Sequence, residues 1–232
     1  MNLPKKELYL HNNMCFIGGY LGAYALLCRC ANFGSAQTTN MIQMLCNILG
    51  KNYADFLLRI TGLLLFVSAI VICSILSNKT SCNMQTYAIT IDFLGMFALS
   101  FIPASTNPIV AILPIFFLMA THWSVFHGVA QYNSSTIFST NNLRQMTVGI
   151  SEYFLTKEET HLQKAKFYGN TLFWYHMGVA ISFFACKRLG VYASLCGIPF
   201  TLSDFLLHKT KHSNLPLPLL RLTDRFRNIA QK

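Results

Sequence analysis

The sequence predicts an all-α polytopic membrane protein with about six transmembrane helices. Of its 232 residues, 53% are hydrophobic and only 11% are charged, whereas an ordinary soluble domain carries about 25% charged residues. The mean hydropathy is +0.41, and the apolar residues form long uninterrupted runs. This composition excludes an intrinsically disordered chain and a soluble globular protein of this size.

Six apolar segments are long enough to cross the hydrocarbon core of a bilayer, which takes about 20 helical residues. A further apolar stretch, 41–50, is too short, because ten helical residues extend only about 15 Å. We expect this stretch to form either a re-entrant or an interfacial helix. The six predicted spans are 10–30, 56–76, 84–102, 109–129, 167–186 and 190–207.

The distribution of Lys and Arg predicts the orientation in the membrane. If the N-terminus is cytoplasmic, the inner segments hold 13 of the 18 basic residues and the outer segments hold 5. Basic residues remain on the cytoplasmic side, where they face anionic lipids, so both termini are predicted to be cytoplasmic. The final segment, 209–232, contains apolar residues at helical spacing with arginines between them. It predicts a basic amphipathic tail on the inner leaflet.

The two halves of the chain contain related motifs. A shift of 102 residues aligns the polar segment 37–40 with 139–142, and a shift of about 112 aligns Asp92 with Asp204. This layout divides the chain into two three-helix repeats, 1–106 and 107–208. Because each repeat has an odd number of spans, the second enters the membrane inverted, as in many secondary transporters. The alternatives are a duplication without a transport role and an inverted repeat that forms a channel.

The two polar motifs are the candidate substrate-binding residues. Thr and Asn hydrogen-bond to nearby backbone and are favoured at helix N-caps, so each motif is predicted to start a short or broken helix. The free N–H groups at such a start attract anions and carboxylates. The alternative is that both motifs are ordinary caps at the membrane surface. The residues concerned are Gln37, Thr38, Thr39, Asn40, Ser139, Thr140, Asn141 and Asn142.

Asp92 and His122 are the candidate coupling or proton-carrying residues. Asp92 lies eight residues inside the third predicted span, where a carboxyl group is costly and is usually functional or paired. His122 lies in the fourth span and is suited to carry a proton. The alternatives are structural hydrogen bonds from a protonated Asp92 and from His122 to neighbouring helices. Asp204 is predicted to form an ion pair at the surface.

No cofactor, metal or nucleic-acid site is predicted. The eight cysteines lack a CxxC pair or zinc-type spacing, and we interpret them as small buried hydrophobic residues. The sequence has no GxSxG or HExxH motif, so we expect no enzymatic activity. The net charge of +10 is assigned to contact with lipid headgroups, because no basic stretch alternates with exposed aromatic residues.

Two segments near the start of the chain carry a family resemblance. They read GGYLGAY at 18–24 and NFGSAQTTN at 32–40. They resemble the YoaK-like family of bacterial inner-membrane proteins, a domain-of-unknown-function family in which GGYLDAY precedes a stretch ending in ANAQTGN. The resemblance implies about six spans in the bacterial inner membrane and supplies no activity. Gly22 stands where the family usually has Asp, and Thr39 where it usually has Gly, so no role of that Asp is transferred.

The expected function is membrane transport of a small polar or anionic solute through a midplane site between the repeats. One alternative is an ion channel built on the same repeats. Another is a substrate-binding membrane subunit of a larger transporter. The expected partners are membrane lipids and the transported molecule or ion, and a homodimer remains open.

The predicted topology is testable with reporter fusions. Alkaline phosphatase fused after residue 107 is expected to be active, because that loop would lie in the periplasm. The same reporter fused after residue 159 is expected to be inactive, because that loop would be cytoplasmic. The reverse pattern of activities would contradict cytoplasmic termini.

Overall fold

The computed structural model describes residues 3–29 and 37–209, with side chains described through residue 206. Most of this chain is helical, and a short antiparallel hairpin pairs Gly128 with Asn133. The predicted tail beyond Lys209 lies outside the described residues. The elements in chain order are α1 (Lys5–Arg29), α2 (Gln37–Leu49), α3 (Tyr53–Lys79), α4 (Met84–Leu99), α5 (Pro108–Ala111), α6 (Leu113–Val125), β1 (Gly128–Val129), β2 (Tyr132–Asn133), α7 (Ser139–Thr156), α8 (Glu159–Leu189), a 3₁₀ segment (Gly190–Gly197) and α9 (Ile198–Lys209).

Within residues 3–29 and 37–209, three helical segments are long and apolar enough to cross a membrane: Tyr53–Lys79, Pro108–Val125 and Glu159–Leu206. Met84–Leu99 is a shorter apolar helix. Many of the large apolar side chains on these segments are exposed to the surroundings, which suits contact with lipid rather than water. The chain is therefore an all-α membrane protein, as the composition predicts.

Two predicted spans are interrupted. The fourth is broken at Ile112, where Pro114 lacks the backbone N–H that would continue the helical ladder, and α6 ends at Val125. The sixth begins as the 3₁₀ segment rather than an α-helix. Gly190, with φ of +56°, ends α8 in a conformation that favours glycine. The apolar runs therefore overestimate the regular α-helix in both places.

Helices α1 and α8 pack backbone against backbone. An added Cβ at Gly19 would overlap the backbone carbonyl of Tyr175, and one at Gly178 would overlap that of Phe16. Small residues at a helix interface allow such close packing in membranes. Since both helices approach this closely, their polar side chains reach the same interior.

Helices α3 and α6 form a second parallel pair. Gly62 on α3 leaves room for the ring of Phe116 on α6. Further along both helices, the rings of Phe66 and Trp123 lie 6.3 Å apart between centroids. Helix α6 therefore rests on α3, as α8 rests on α1.

The chain reverses after α8, so that α9 runs antiparallel to α1. Tyr20 donates from Oη to the carbonyl of Ala193 at 2.5 Å. Asn13, nearer the start of α1, donates from Nδ2 to the carbonyl of Phe200 at 2.9 Å. The 3₁₀ segment and α9 also contact α4, which places both beside the centre of the bundle.

One end of the bundle, which we call the Arg29 end, is held together by polar and sulfur contacts. Arg29 is buried, and its guanidinium donates to the carbonyls of Leu99 at 2.8 Å and Pro103 at 3.1 Å. The sulfurs of Cys28 and Cys186 form a disulfide between α1 and α8. The interpretation of the cysteines as small buried hydrophobic residues is wrong for this pair, because α1 and α8 end side by side. It is also wrong for Cys46 and Cys82, which are exposed.

Helices α2 and α7 begin at the two polar motifs, as predicted. Helix α2 covers most of the short apolar stretch 41–50 and packs against α3. Helix α7 packs against α8, where Gly149 approaches the backbone nitrogen of Ala165. The apolar side chains of α2 are exposed, which fits an amphipathic helix in contact with lipid. They are Met41, Ile42, Leu45, Ile48 and Leu49.

The glycine contact predicts a difference between two positions on α8. Gly178→Ala is expected to lower the free energy of unfolding by about 1–3 kcal/mol, because the methyl group has no space against Phe16. Gly169→Ala is the matched control, since its Cβ would meet only the flexible side chain of Met146. Unfolding of both variants in detergent checks this, and equal losses would contradict it.

Candidate functional site

A buried carboxyl–imidazole pair connects α4 with α6. Oδ2 of Asp92 lies 3.1 Å from Nε2 of His122, and each side chain is only 1% exposed. The two helices run antiparallel and approach closely where Gly95 leaves room for Leu118. The two residues predicted separately as proton carriers are therefore in direct contact.

Protein groups enclose this pair almost completely. The sulfur of Met14 lies 2.9 Å from Nε2 of His122, and Oγ1 of Thr136 lies 3.4 Å from Nδ1. Neither carboxylate oxygen of Asp92 makes a hydrogen bond among the described residues, so its 3.1 Å approach to His122 is an ion-pair contact. One proton on the pair leaves no net charge, whichever residue holds it. Loss or gain of a proton would place an unbalanced charge in a nonpolar setting, which is costly.

A second carboxyl lies in the same interior. Asp204 is fully buried and accepts a hydrogen bond from Nδ2 of Asn13 at 2.7 Å. It is close enough to Asp92 and His122 for their charges to act on it. The predicted surface ion pair of Asp204 is wrong, because α9 folds back against α1. The alignment of Asp92 with Asp204 was the sequence signal for this residue.

His11 is a further interior residue that sequence reasoning missed. It is 3% exposed, its Nε2 lies 3.3 Å from Oγ1 of Thr171, and its ring stacks on Phe167. His11 lies at the edge of the first predicted span, where nothing in the sequence marks it as an interior residue. The buried polar cluster comprises the half-buried Asn13 and four buried residues, His11, Asp92, His122 and Asp204.

The side chains of the buried polar cluster are not arranged as a set of metal ligands. Within residues 3–29 and 37–209, no group of three His, Cys, Asp or Glu side chains is arranged to hold a metal ion. The chemistry available to these residues is proton transfer and hydrogen bonding.

The second polar motif folds the loop that precedes α7. Asn142 is buried, and its Nδ2 donates to the carbonyls of Ser135 at 2.7 Å and Phe138 at 2.9 Å. Its Oδ1 accepts from Oγ of Ser134 at 3.1 Å. Asn142 therefore acts as a structural organiser of segment 134–138, while Thr140 and Asn141 are exposed. Ser139 is half-buried.

Segment 134–138 reaches the interior because α1 has a glycine there. An added Cβ at Gly18 would overlap the carbonyl of Thr136. Thr136 and Ile137 are both fully buried. Irregular backbone is tolerated at membrane depth when protein covers it, and this segment brings Thr136 to His122.

The first polar motif contacts a different element. Asn40 is fully buried and donates from Nδ2 to the carbonyl of Arg59 on α3 at 3.1 Å. Gln37 accepts from the same amide at 3.3 Å, whereas Thr38 and Thr39 are exposed. The hydrogen bonds of Asn40 and Asn142 thus run to separate parts of the bundle. A substrate site shared by both motifs stays a prediction.

A cavity of about 690 Å³ opens beside the end of α6. It lies between α6, the β1–β2 hairpin, α7 and α8, at the opposite end of the bundle from Arg29. We call it the α6 cavity. Its aromatic lining is Trp123, Phe126, Tyr132, Phe138 and Tyr168, and its other lining residues are His127, Gln131, Asn133, Ser134, Ser135, Asn141, Gln145 and Lys164.

Comparison with known families identifies the relatives of this chain. A family model described as protein of unknown function, DUF1275, matches residues 10–203. The chain belongs to this family. The match confirms the resemblance to the YoaK-like proteins, and the DUF1275 region includes four of the five residues of the buried polar cluster. No curated protein and no solved structure matches the chain significantly.

The Asp92–His122 contact predicts energetic coupling between the two side chains. His122→Leu is expected to lower the free energy of unfolding by about 3 kcal/mol, because it leaves a buried carboxyl without its partner. In an Asp92→Asn background, the same change is expected to cost at least about 1 kcal/mol less. Unfolding of the four proteins in detergent measures this coupling, and strictly additive losses would contradict the contact.

Proposed function

We propose that this protein is a proton-coupled membrane transporter for a small polar solute. The observation that carries the proposal is the Asp92–His122 contact, in which both side chains are 1% exposed. Ionisable groups enclosed within transmembrane helices are expensive and commonly serve as proton relays. We place the protein in the bacterial inner membrane with both termini cytoplasmic, and we propose no enzymatic role.

The packing of the helices supports two inverted repeats, 1–106 and 107–208. Helix α1 runs parallel to α8 and α3 runs parallel to α6, whereas α6 is antiparallel to α4 and α9 is antiparallel to α1. These directions agree with six successive crossings that alternate in orientation. Each half also contains a helix that begins at a polar motif, α2 in the first half and α7 in the second, followed by two further α-helices. The buried polar cluster then lies where the halves meet, as midplane sites of transporters do.

The proton chemistry follows from the charge of the cluster. With one proton shared by Asp92 and His122 the pair is neutral, and a second proton makes it cationic. Because Asp204 lies near both residues, a change of charge on the pair acts on α9 as well as on α4 and α6. Such a change alters the electrostatic attraction between helices from both halves. Proton binding thereby favours one arrangement of the halves over another.

The two ends of the bundle differ in a way that favours a carrier over an open pore. The Arg29 end is closed by the guanidinium contacts and by the disulfide of Cys28 with Cys186. The opposite end contains the α6 cavity. With the N-terminus cytoplasmic, this arrangement corresponds to an inward-facing state. Alternating access requires such closure at one end at a time.

Transport is testable in proteoliposomes that contain a pH-sensitive dye. Solutes selected by a thermal-shift screen of small anions, amino acids and nucleobases are expected to cause proton movement with the wild-type protein. Asp92→Asn is expected to reduce this movement at least about tenfold, because its amide cannot exchange a proton. Asp55→Asn is the matched control, since Asp55 only caps the start of α3 through Asn52.

Two results would overturn the proposal. The first is solute-dependent proton movement that is unchanged in Asp92→Asn. The second is solute uptake that proceeds at the same rate with and without a pH gradient and does not saturate, which is the behaviour of a channel.

A further inference from the structure

We propose that the α6 cavity binds an uncharged, planar nitrogen heterocycle of the nucleobase type. This inference deepens the proposed function and rests on it in one respect, namely that the bound heterocycle is the transported solute.

The walls of the cavity are aromatic and held in fixed orientations. The ring of Trp123 packs edge-on against Phe138 with centroids 5.5 Å apart. On the opposite wall, Tyr132 stacks on Phe167 at 4.8 Å. Tyr168 is fixed because its Oη donates to the carbonyl of Asn133 at 2.8 Å. Rigid aromatic faces favour a flat ring that stacks on them or packs against their edges.

The polar part of the lining consists mainly of carboxamides and hydroxyls. Gln131, Asn141 and Gln145 each bring one acceptor oxygen and two donor hydrogens to the cavity. A carboxamide pairs with a ring edge that carries adjacent donor and acceptor atoms, as Asn and Gln do with adenine. Aliphatic solutes lack the flat face, and simple arenes lack the hydrogen-bonding edge. A heterocycle with exocyclic or ring nitrogens has both.

The lining offers little fixed charge to bind an ion. It contains no carboxylate among the described residues, and Nζ of Lys164 lies 3.8 Å from Oε2 of Glu152, which balances it. His127 lies beyond the end of α6, and its partial desolvation lowers its pKa, which favours the neutral imidazole. For an anion, the cation in the lining is Lys164, which already contacts Glu152. An uncharged solute avoids the desolvation cost of a charge.

The cavity is large enough for such a ligand, and two of its lining residues are direct chain neighbours of residues at the proton pair. A volume of about 690 Å³ lies within the usual range of small-molecule sites, about 300–1,000 Å³. Trp123 in the wall follows His122 directly in the chain. Ser135 in the lining is followed by Thr136, whose Oγ1 lies 3.4 Å from Nδ1 of His122. Solute in the cavity therefore contacts the backbone segments that position His122.

The test is direct binding to the purified full-length protein in detergent. Calorimetric titration would use adenine, uracil, adenosine, benzoate and glutamate as probes. We expect saturable binding of a base or the nucleoside, and binding of adenosine but not adenine would identify the nucleoside as the form taken. Asn141→Leu and Gln145→Leu are each expected to weaken this binding at least about tenfold.

Gln43→Leu is the matched control. The repeat aligns Gln43 with Gln145, yet Gln43 does not line the α6 cavity, so binding is expected to be unchanged.

Three results would overturn the inference: no binding of any base or nucleoside, tighter binding of benzoate or glutamate, and binding that survives both lining substitutions. Binding and uptake measured on the same protein separate the two proposals. If bases bind but no proton-coupled uptake follows, the proposed function fails and the binding site stands. If proton-coupled uptake occurs for a solute that does not enter this cavity, the proposed function stands and the proposed binding site fails.

Discussion

The close contact between α1 and α8 is the constraint on which the rest of the interior depends. Glycines at positions 19 and 178 let the two backbones touch, and this proximity brings the side chain of His11 to Thr171. The neighbouring Gly18 admits Thr136 to the same interior, so that it reaches His122. Any side chain at these positions would separate the helices by the width of a methyl group or more, and the hydrogen bonds among the polar residues would lengthen beyond their useful range.

Much of this architecture could be predicted from the sequence, because composition and apolar run length report directly on membrane helices. The starts of α2 and α7 were also predictable from the two polar motifs, although not through capping, because the N-cap of α7 is Phe138 without a side-chain hydrogen bond. Asp92 and His122 were recognisable one at a time, as ionisable residues in apolar surroundings. Their contact was not, because it depends on the register between two antiparallel helices, and that register is set by a glycine and a leucine rather than by any pattern near the charged residues.

Other features escaped prediction for the same physical reason. Asp204 lies near the end of an apolar run and resembles a surface residue until Asn13 is placed beside it by the reversal of the chain at Gly190. The disulfide joins Cys28 to Cys186, which are 158 residues apart in the chain. No local spacing of cysteines predicts such a pairing. The carboxamides of the α6 cavity are spread over a hairpin and a helix. Only the tertiary arrangement turns them into one lining.

The pairing of α1 with α8 has a consequence for how the protein is made. Helix α1 is the first of the described helices to leave the ribosome, whereas its main partner begins at Glu159, after about two thirds of the chain has been synthesised. During that interval Asn13 and His11 lack the groups to which they bond in the finished protein. Polar side chains on a lone helix are costly in lipid, so we expect α1 to reach its final position only after α8 has been inserted. The interior of this protein is then completed late in synthesis, when the helices of its second half join α1.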